Sequence, residues 1–328
     1  MDQFSKNITR IVGKKNFITA DNAMAPFKNG WRTQSGDCKA VITPETLLEM
    51  WKVIKELVKY KKIILIQASN TSLTGGSTPN GSYDRELFII NTLKLDNIFL
   101  INEAKQIIAF PGSTLYSLEK KLKKFNRAPH SEIGSSCIGA SIIGGICNNS
   151  GGALIKRGPA YTELSLYAFV NKKGNLELAN NLGIDLGNDP EEILNSLDEG
   201  KLPLNKFIKS NKKASSVDYK NIVKDVNANT PARFNADERR LYDASGCAGK
   251  VAVFAVRLDT FEKEKNEVTY YLSSNSAKDL TNFRRKVLQE VSDLPVYAEY
   301  LHRDAYDIAK KYGKDSFLLI YFLGTSAM

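Results

Sequence analysis

Long apolar runs are missing from this 328-residue chain. No stretch approaches the ~18–20 residues needed to cross a bilayer, so any membrane contact is expected to be peripheral. Histidine is nearly absent, with only His130 and His302. That leaves two candidates for the ring that most simply serves as a general base near neutral pH. Cysteine is sparse too: Cys38, Cys137, Cys147 and Cys247 lie far apart and form no C-x-x-C pair. With no secretory leader pattern at the start, they read as reduced thiols of a cytosolic protein, Cys137 and Cys147 as small packing residues. No His, Cys and carboxylate cluster has ligand spacing, so no metal is expected. There is no G-x-S-x-G elbow for a serine nucleophile and no Gly-Lys-Ser/Thr phosphate loop. No nucleic-acid signature is present either, and nucleic acid is not expected as a partner.

What is present is ordinary globular material, 42% hydrophobic and 25% charged. The length allows two domains or one large one. A net charge of +10 favours anionic partners such as acidic lipid headgroups or anionic metabolites. Thr43 is placed to cap a helix with Pro44 in its first position, and Leu47, Trp51, Ile54 and Val58 recur at helical spacing. The pattern predicts a helix over about 45–60. Apolar runs at 62–66, 87–90, 107–110, 164–170 and 250–258 predict strands, the last of them central. Further helices are predicted from 113–114 onward, over 191–197 and over 279–291. A flexible surface stretch is expected at 211–216 and a strand at 270–272.

Two glycine-dense loops stand against those strands. The first runs from Gln67 to Pro79 and the second from Gly134 to Gly152, which holds six of the 22 glycines. Backbone with few side chains in the way can line up its N–H groups against a dinucleotide pyrophosphate. In the first loop Pro79, Asn80 and Gly81 lead to another strand and not to a helix, so a nicotinamide-type fingerprint is not met. A turn-borne anion nest remains, with hydroxyls of Thr71, Ser72, Ser77 and Thr78 as extra donors. Glycines interleaved with Ile138, Ile142, Ile143 and Ile146 suit a planar ring lying against the backbone.

Gln67–Pro79, Ser113–Lys120, Pro129-His130-Ser131, Gly134–Gly152 and Arg157–Glu163 together resemble the quinone-dependent, FAD-containing D-lactate dehydrogenases of bacteria. Gly183–Gly187, Thr230–Arg233, Ser245–Lys250 and His302-Arg303-Asp304 extend the resemblance nearly end to end. It implies an α+β fold: an FAD-binding domain of two α/β subdomains, of the vanillyl-alcohol-oxidase (p-cresol-methylhydroxylase) type, followed by the start of a cap domain. The expected boundaries are 1–260 for the flavin domain (subdomains about 1–95 and 96–260), 261–301 for the start of the cap and 302–328 for an incomplete membrane-binding portion. By the same resemblance, noncovalent FAD is held by Ala68, Ser69, Asn70, Thr71, Ser72, Gly76 and Ser77 at the pyrophosphate. Gly134, Ser141 and Gly151 line the flavin and its ribityl chain, and Val253 touches the cofactor.

The implied chemistry is hydride transfer from D-lactate, or another small 2-hydroxy acid, to flavin N5. Electrons then pass to a membrane quinone, on the inner face of the plasma membrane and in peripheral contact with anionic lipid. His130, His302 and Arg303 are the catalytic candidates. Ser72 stands where the family's loop usually carries glycine after Thr71, a site where positive φ costs a side chain ~1–2 kcal/mol. Family members continue past this chain's end, so a truncated or decaying gene product is a rival reading. It predicts a remnant without turnover. A second rival is a flavin oxidoreductase using NADPH.

Overall fold

The computed structural model describes residues 2–30, 35–130, 139–151, 153–203, 206–208, 210–247 and 249–324. Helix α1 (Gln3–Val12) buries Phe4, Ile8 and Val12 along one stripe, with the Asp2 carboxylate accepting the Ser5 amide as its cap. Strand β1 (Phe17–Ile18), helix α2 (Asp21–Lys28), strand β2 (Ala40–Ile42), helix α3 (Leu47–Lys59), and strands β3 (Ile63–Gln67) and β4 (Leu87–Asn91) follow. They form a sheet of order β1-β2-β4-β3, parallel except for β1. β4 lies between two parallel neighbours and buries all five residues, which explains its unbroken apolar run. α3 starts at a different cap from the one expected. Thr46 accepts the Glu49 amide there, while Thr43 is buried and donates its hydroxyl to Asn16.

The chain then enters a second sheet. This stretch runs through β5 (Ile98–Ile101), β6 (Gln106–Ala109), helix α4 (Leu115–Leu122), the short β7 (Arg127–Ala128) outside that sheet, helix α5 (Ile142–Cys147), β8 (Ser165–Val170) and β9 (Leu176–Asn180). Helices α6 (Pro190–Asp198) and α7 (Tyr219–Lys224) precede the long β10 (Ala252–Asp259). The order is β5-β6-β10-β8-β9, antiparallel throughout, so β10 is central as its apolar run predicts. Leu115, Leu118 and Leu122 of α4 and Ile142, Ile143 and Ile146 of α5 share a core cluster with Ile107, Val253 and Val256. Those isoleucines go into the core and do not form the apolar floor for a ring that their spacing suggests. The reason is local: residues 142–147 are helical, and a helix turns the 142, 143 and 146 positions onto one face.

A second core cluster joins the two sheets. Phe88 and Ile90 from the first sheet, Ile108, Leu166 and Phe254 from the second, and Trp51 and Leu57 of α3 all belong to it. Trp51 meets Phe254 edge-on at 6.3 Å. α3 therefore seats both sheets. The Asp198 carboxylate at the end of α6 accepts the Leu47 and Leu48 amides at 2.8 and 3.0 Å, closing the helix start.

Two further expectations fail. Residues 214–216 are buried, with the Lys213 carbonyl accepting the Glu163 amide and Ser215 donating to Asp259. Tethering to β10 overrides their polar composition. Tyr270, Tyr271 and Leu272 form no strand and stand exposed, since no neighbour offers them a ladder. After β11 (Phe261–Glu262), helix α8 (Ala277–Glu290) packs Leu288 with Tyr219, Val223 and Leu294. Helices α9 (Arg303–Tyr312) and α10 (Lys314–Leu323) bury no residue. Among the described residues, no helix is long and apolar enough to cross a membrane.

Candidate functional site

The first glycine loop leaves the carboxyl end of β3. Gln67, almost fully buried, anchors it by donating its side-chain amide to the carbonyls of Phe27 (2.9 Å) and Ser77 (2.7 Å). Asn91, at the matching end of β4, donates to the Ala68 carbonyl at 3.0 Å. Inside the loop Asn70 holds the bend. Its backbone is left-handed (φ 53°), and its side chain donates to the Asn29 carbonyl while accepting the Ser77 and Thr78 hydroxyls at 2.9 and 2.8 Å. Ser72 is not left-handed, so the expected strain there is absent. The positive φ falls on Asn70, a residue type that tolerates it.

With the loop held this way, the amides of Asn70, Thr71, Ser72, Gly76 and Ser77 donate to no acceptor among the described residues. Nothing lies within 4 Å of where a Gly76 side chain would stand. Such a row of unspent N–H groups beside hydroxyls is a donor set for a diphosphate. No helix dipole is involved.

The second loop meets the first. Ser69 donates its hydroxyl to the Gly139 carbonyl, and Gly139 is left-handed at φ 88°. The Ala140 carbonyl accepts the Leu115 amide at 3.0 Å, and the Ser113 carbonyl accepts the Ile142 amide at 2.9 Å. Ser141 caps α5 by accepting the Gly144 amide. Gly151 offers its carbonyl to Arg233 at 3.0 Å, and Val253 is buried in the core cluster beneath α5. Gly134 and Cys137 lie outside the described residues. The fold thus brings the two loops together where Ser69 meets Gly139. Two surface hollows of about 390 and 510 Å³ lie elsewhere. Of the charged groups that line them, Arg257 is engaged with Gln106 and Asp198 with the start of α3.

His130 precedes the second loop in sequence. It is 4% exposed, and neither ring nitrogen has a hydrogen-bond partner among the described residues. Burial, assisted by the nearby Arg157 guanidinium, pulls its pKa down to about 4. The imidazole is therefore neutral at pH 7, with a free lone pair. The Asn149 amide oxygen, likewise buried, is also unpartnered, and its backbone is left-handed at φ 47°. Neither Gly139 nor Asn149 stands out within the loop by composition, and Asn91 reads as an ordinary strand end. Their roles come from the fold. Among the described residues, His302 and Arg303 make their polar contacts away from both loops. His302 caps α9, and their carboxylate partners are Asp304 and Asp307 on the same helix.

Acid is expected to destabilise the fold through His130. Its folded pKa of about 4 lies below the ~6.5 of an unfolded chain, so the unfolded state takes the proton first. The contribution is nil above about pH 6.5 and grows to a loss of about 3 kcal/mol as pH falls to about 4. Urea unfolding at pH 7 and pH 4.5 should show a smaller drop for His130→Gln than for the parent chain. Equal drops would refute the assignment.

A sequence profile described as an FAD binding domain matches residues 38–178, and one described as D-lactate dehydrogenase, membrane binding, matches residues 269–328. The quinone-dependent D-lactate dehydrogenase of Escherichia coli (strain K12) is 54% identical over 326 residues, covering 99% of this chain and 57% of that protein. The protein of the same name from Haemophilus influenzae is 52% identical, covering 99% and 58%. That from Corynebacterium glutamicum is 42% identical, covering 96% and 55%. Among solved structures, p-cresol methylhydroxylase with substrate bound superposes with a TM-score of 0.51 at 13% identity, over 80% of this chain and 44% of that one. That likeness shows a shared fold. The chain spans little more than half the length of the curated relatives it matches. By sequence, almost its whole length is similar to part of the quinone-dependent D-lactate dehydrogenases.

Proposed function

We propose that this chain binds FAD noncovalently and serves the oxidation of D-lactate, or another small 2-hydroxy acid, with electrons passed on to a membrane quinone. The observation that carries the reading is the meeting of the two glycine loops through Ser69 and Gly139, with five backbone amides left without acceptors beside it. In this reading Ala68–Ser72, Gly76 and Ser77 hold the diphosphate. Gly134, Ser141, Gly151 and Val253 lie along the flavin side. Bound FAD would supply a hydride acceptor at flavin N5. His130, unprotonated at neutral pH, takes the hydroxyl proton of the substrate, a role that needs a free lone pair in a dry pocket. His302 and Arg303, facing outward on α9 beside Lys310 and Lys311, suit contact with anionic headgroups better than a substrate carboxylate. The profile match over 269–328 supports a peripheral seat on the membrane, and we place that seat on the inner face of the plasma membrane.

A second reading, an FAD-binding chain without turnover, is favoured by one observation. Phe317, Leu318, Tyr321 and Phe322 of α10 stand exposed, as do Val268, Tyr270 and Tyr271. One experiment separates the two. The purified chain, loaded with FAD, should be yellow, lose its visible absorbance under anaerobic D-lactate, and reduce an artificial dye. Yellow protein that D-lactate leaves unchanged would establish the second reading. A chain that takes up no FAD, or bleaches with NADPH in preference to D-lactate, would overturn both.

A further inference from the structure

Cys147 and Cys247 are a hundred residues apart in sequence, and the fold sets them side by side. The Gly246 amide donates to the Ile146 carbonyl at 3.0 Å, so each cysteine directly follows one member of a hydrogen-bonded backbone pair. That contact sets the two following residues near one another, and a disulfide asks for Cα atoms roughly 4.4–6.8 Å apart. Cys147 closes α5, and Cys247 lies in the turn that feeds β10, just after the paired Tyr242 and Ser245. The two thiols are near enough to shift one another's titration in opposite directions, and the Gly249 and Val251 backbone favours the Cys247 thiolate. Both cysteines are free thiols, Cys247 buried and Cys147 partly exposed. Nothing in the flavin reading uses them.

We propose that Cys147 and Cys247 form a dithiol modification site that a small hydroperoxide oxidises to an intramolecular disulfide. The hydrogen bond from Cys147 and the surrounding amides hold Cys247 below the usual thiol range, whereas its neighbour and burial push Cys147 above it. Cys247 is thus the attacking sulfur. Its thiolate displaces the distal oxygen of the hydroperoxide, forming a sulfenic acid, and the O–O bond breaks to release an alcohol, or water from hydrogen peroxide. The Cys147 sulfur then attacks Cys247, the S–S bond forms, and the hydroxyl leaves with a proton as water. The two thiols lose two electrons and two protons in all, and the hydroperoxide takes them up. The Ile146–Gly246 hydrogen bond already fixes the approach, so the crosslink forms without opening the backbone. It ties the end of α5 to the strand that centres the second sheet.

The test uses the full chain, treated with a modest excess of hydrogen peroxide, quenched with an alkylating agent and digested. The expected product is one crosslinked peptide pair holding Cys147 and Cys247, lighter by two hydrogens, while Cys38 and Cys137 remain alkylatable. Cys147→Ser, checked by circular dichroism for a retained fold, should stop at a Cys247 sulfenic acid that a cyclic dione traps. Finding Cys147 and Cys247 both alkylated after peroxide would overturn the proposal, and so would oxidation of Cys38 or Cys137 ahead of them. A folded Cys147→Ser chain with no trapped Cys247 would overturn the assignment of the attacking sulfur.

Discussion

Replacing Asn70 with alanine is expected to weaken FAD binding about a hundredfold. Alanine meets a left-handed φ of 53° without the side chain that makes the conformation tolerable, at ~1–2 kcal/mol. It also removes three hydrogen bonds, to Asn29, Ser77 and Thr78, each worth about 1 kcal/mol net. Part of this sum is recovered, because an exposed loop relaxes into water. About 3 kcal/mol remains, to be met when the loop is ordered around the ligand, and 1.4 kcal/mol is tenfold in affinity. Quenching of flavin fluorescence on titration reads the constant directly. Asn70→Asp keeps the acceptor for both hydroxyls but loses the donor to Asn29 and sets a negative charge beside the diphosphate, so its affinity should fall as well. An unchanged dissociation constant for Asn70→Ala would remove the first loop from the binding site.

Gly112→Ala should be the most damaging single methyl group for the fold. A Cβ there would lie 2.2 Å from the Thr92 carbonyl oxygen and 2.8 Å from the Leu93 carbonyl group. Both obstacles are backbone, and neither is free to retreat. The Thr92 amide donates to the Gln67 carbonyl, and the Gly112 amide donates to the Leu95 carbonyl, each at 2.8 Å. The expected cost is about 3 kcal/mol or more, at the upper end for overpacking. In a chain of this size that lowers the melting temperature by about 4 °C or more. Gly76→Ala is the matched control. With nothing within 4 Å and no left-handed φ, its melting temperature should stay within about 2 °C of the parent's. Thr92 follows the first sheet and Gly112 precedes α4, where the second loop is pinned. Forcing them apart therefore also separates the two loops, and FAD affinity should fall with the melting temperature. A Gly112→Ala chain melting like the parent would refute the close approach.

Much of the scaffold was readable because burial leaves a simple trace. The apolar runs at 62–66, 87–90 and 250–258 became a parallel pair and a central antiparallel strand. The periodic run ending at Lys59 became α3. The two loops were visible through composition alone, since backbone that approaches a large anion has to shed side chains. Where the reading missed, the missing information was the neighbour. Thr43 and Thr46 are both competent caps, and only the contact with Asn16 removes Thr43 from the choice. Tyr270-Tyr271-Leu272 has strand propensity but no partner strand. Residues 214–216 look solvated until β10 is placed beside them.

The sequence by itself determined that this chain sets two anion-ready loops against apolar strands and resembles the FAD-containing lactate dehydrogenases, because periodicity, glycine density and motif identity are written along the chain. Only the tertiary structure decided which residues meet. It placed Ser69 against Gly139, the left-handed bend on Asn70 instead of Ser72, the isoleucines of α5 into the core, and Cys147 beside Cys247. The physical reason is the same in each case: these contacts join residues far apart in the chain, or trade one local conformation for another of similar energy. The balance is set by what packs across the gap.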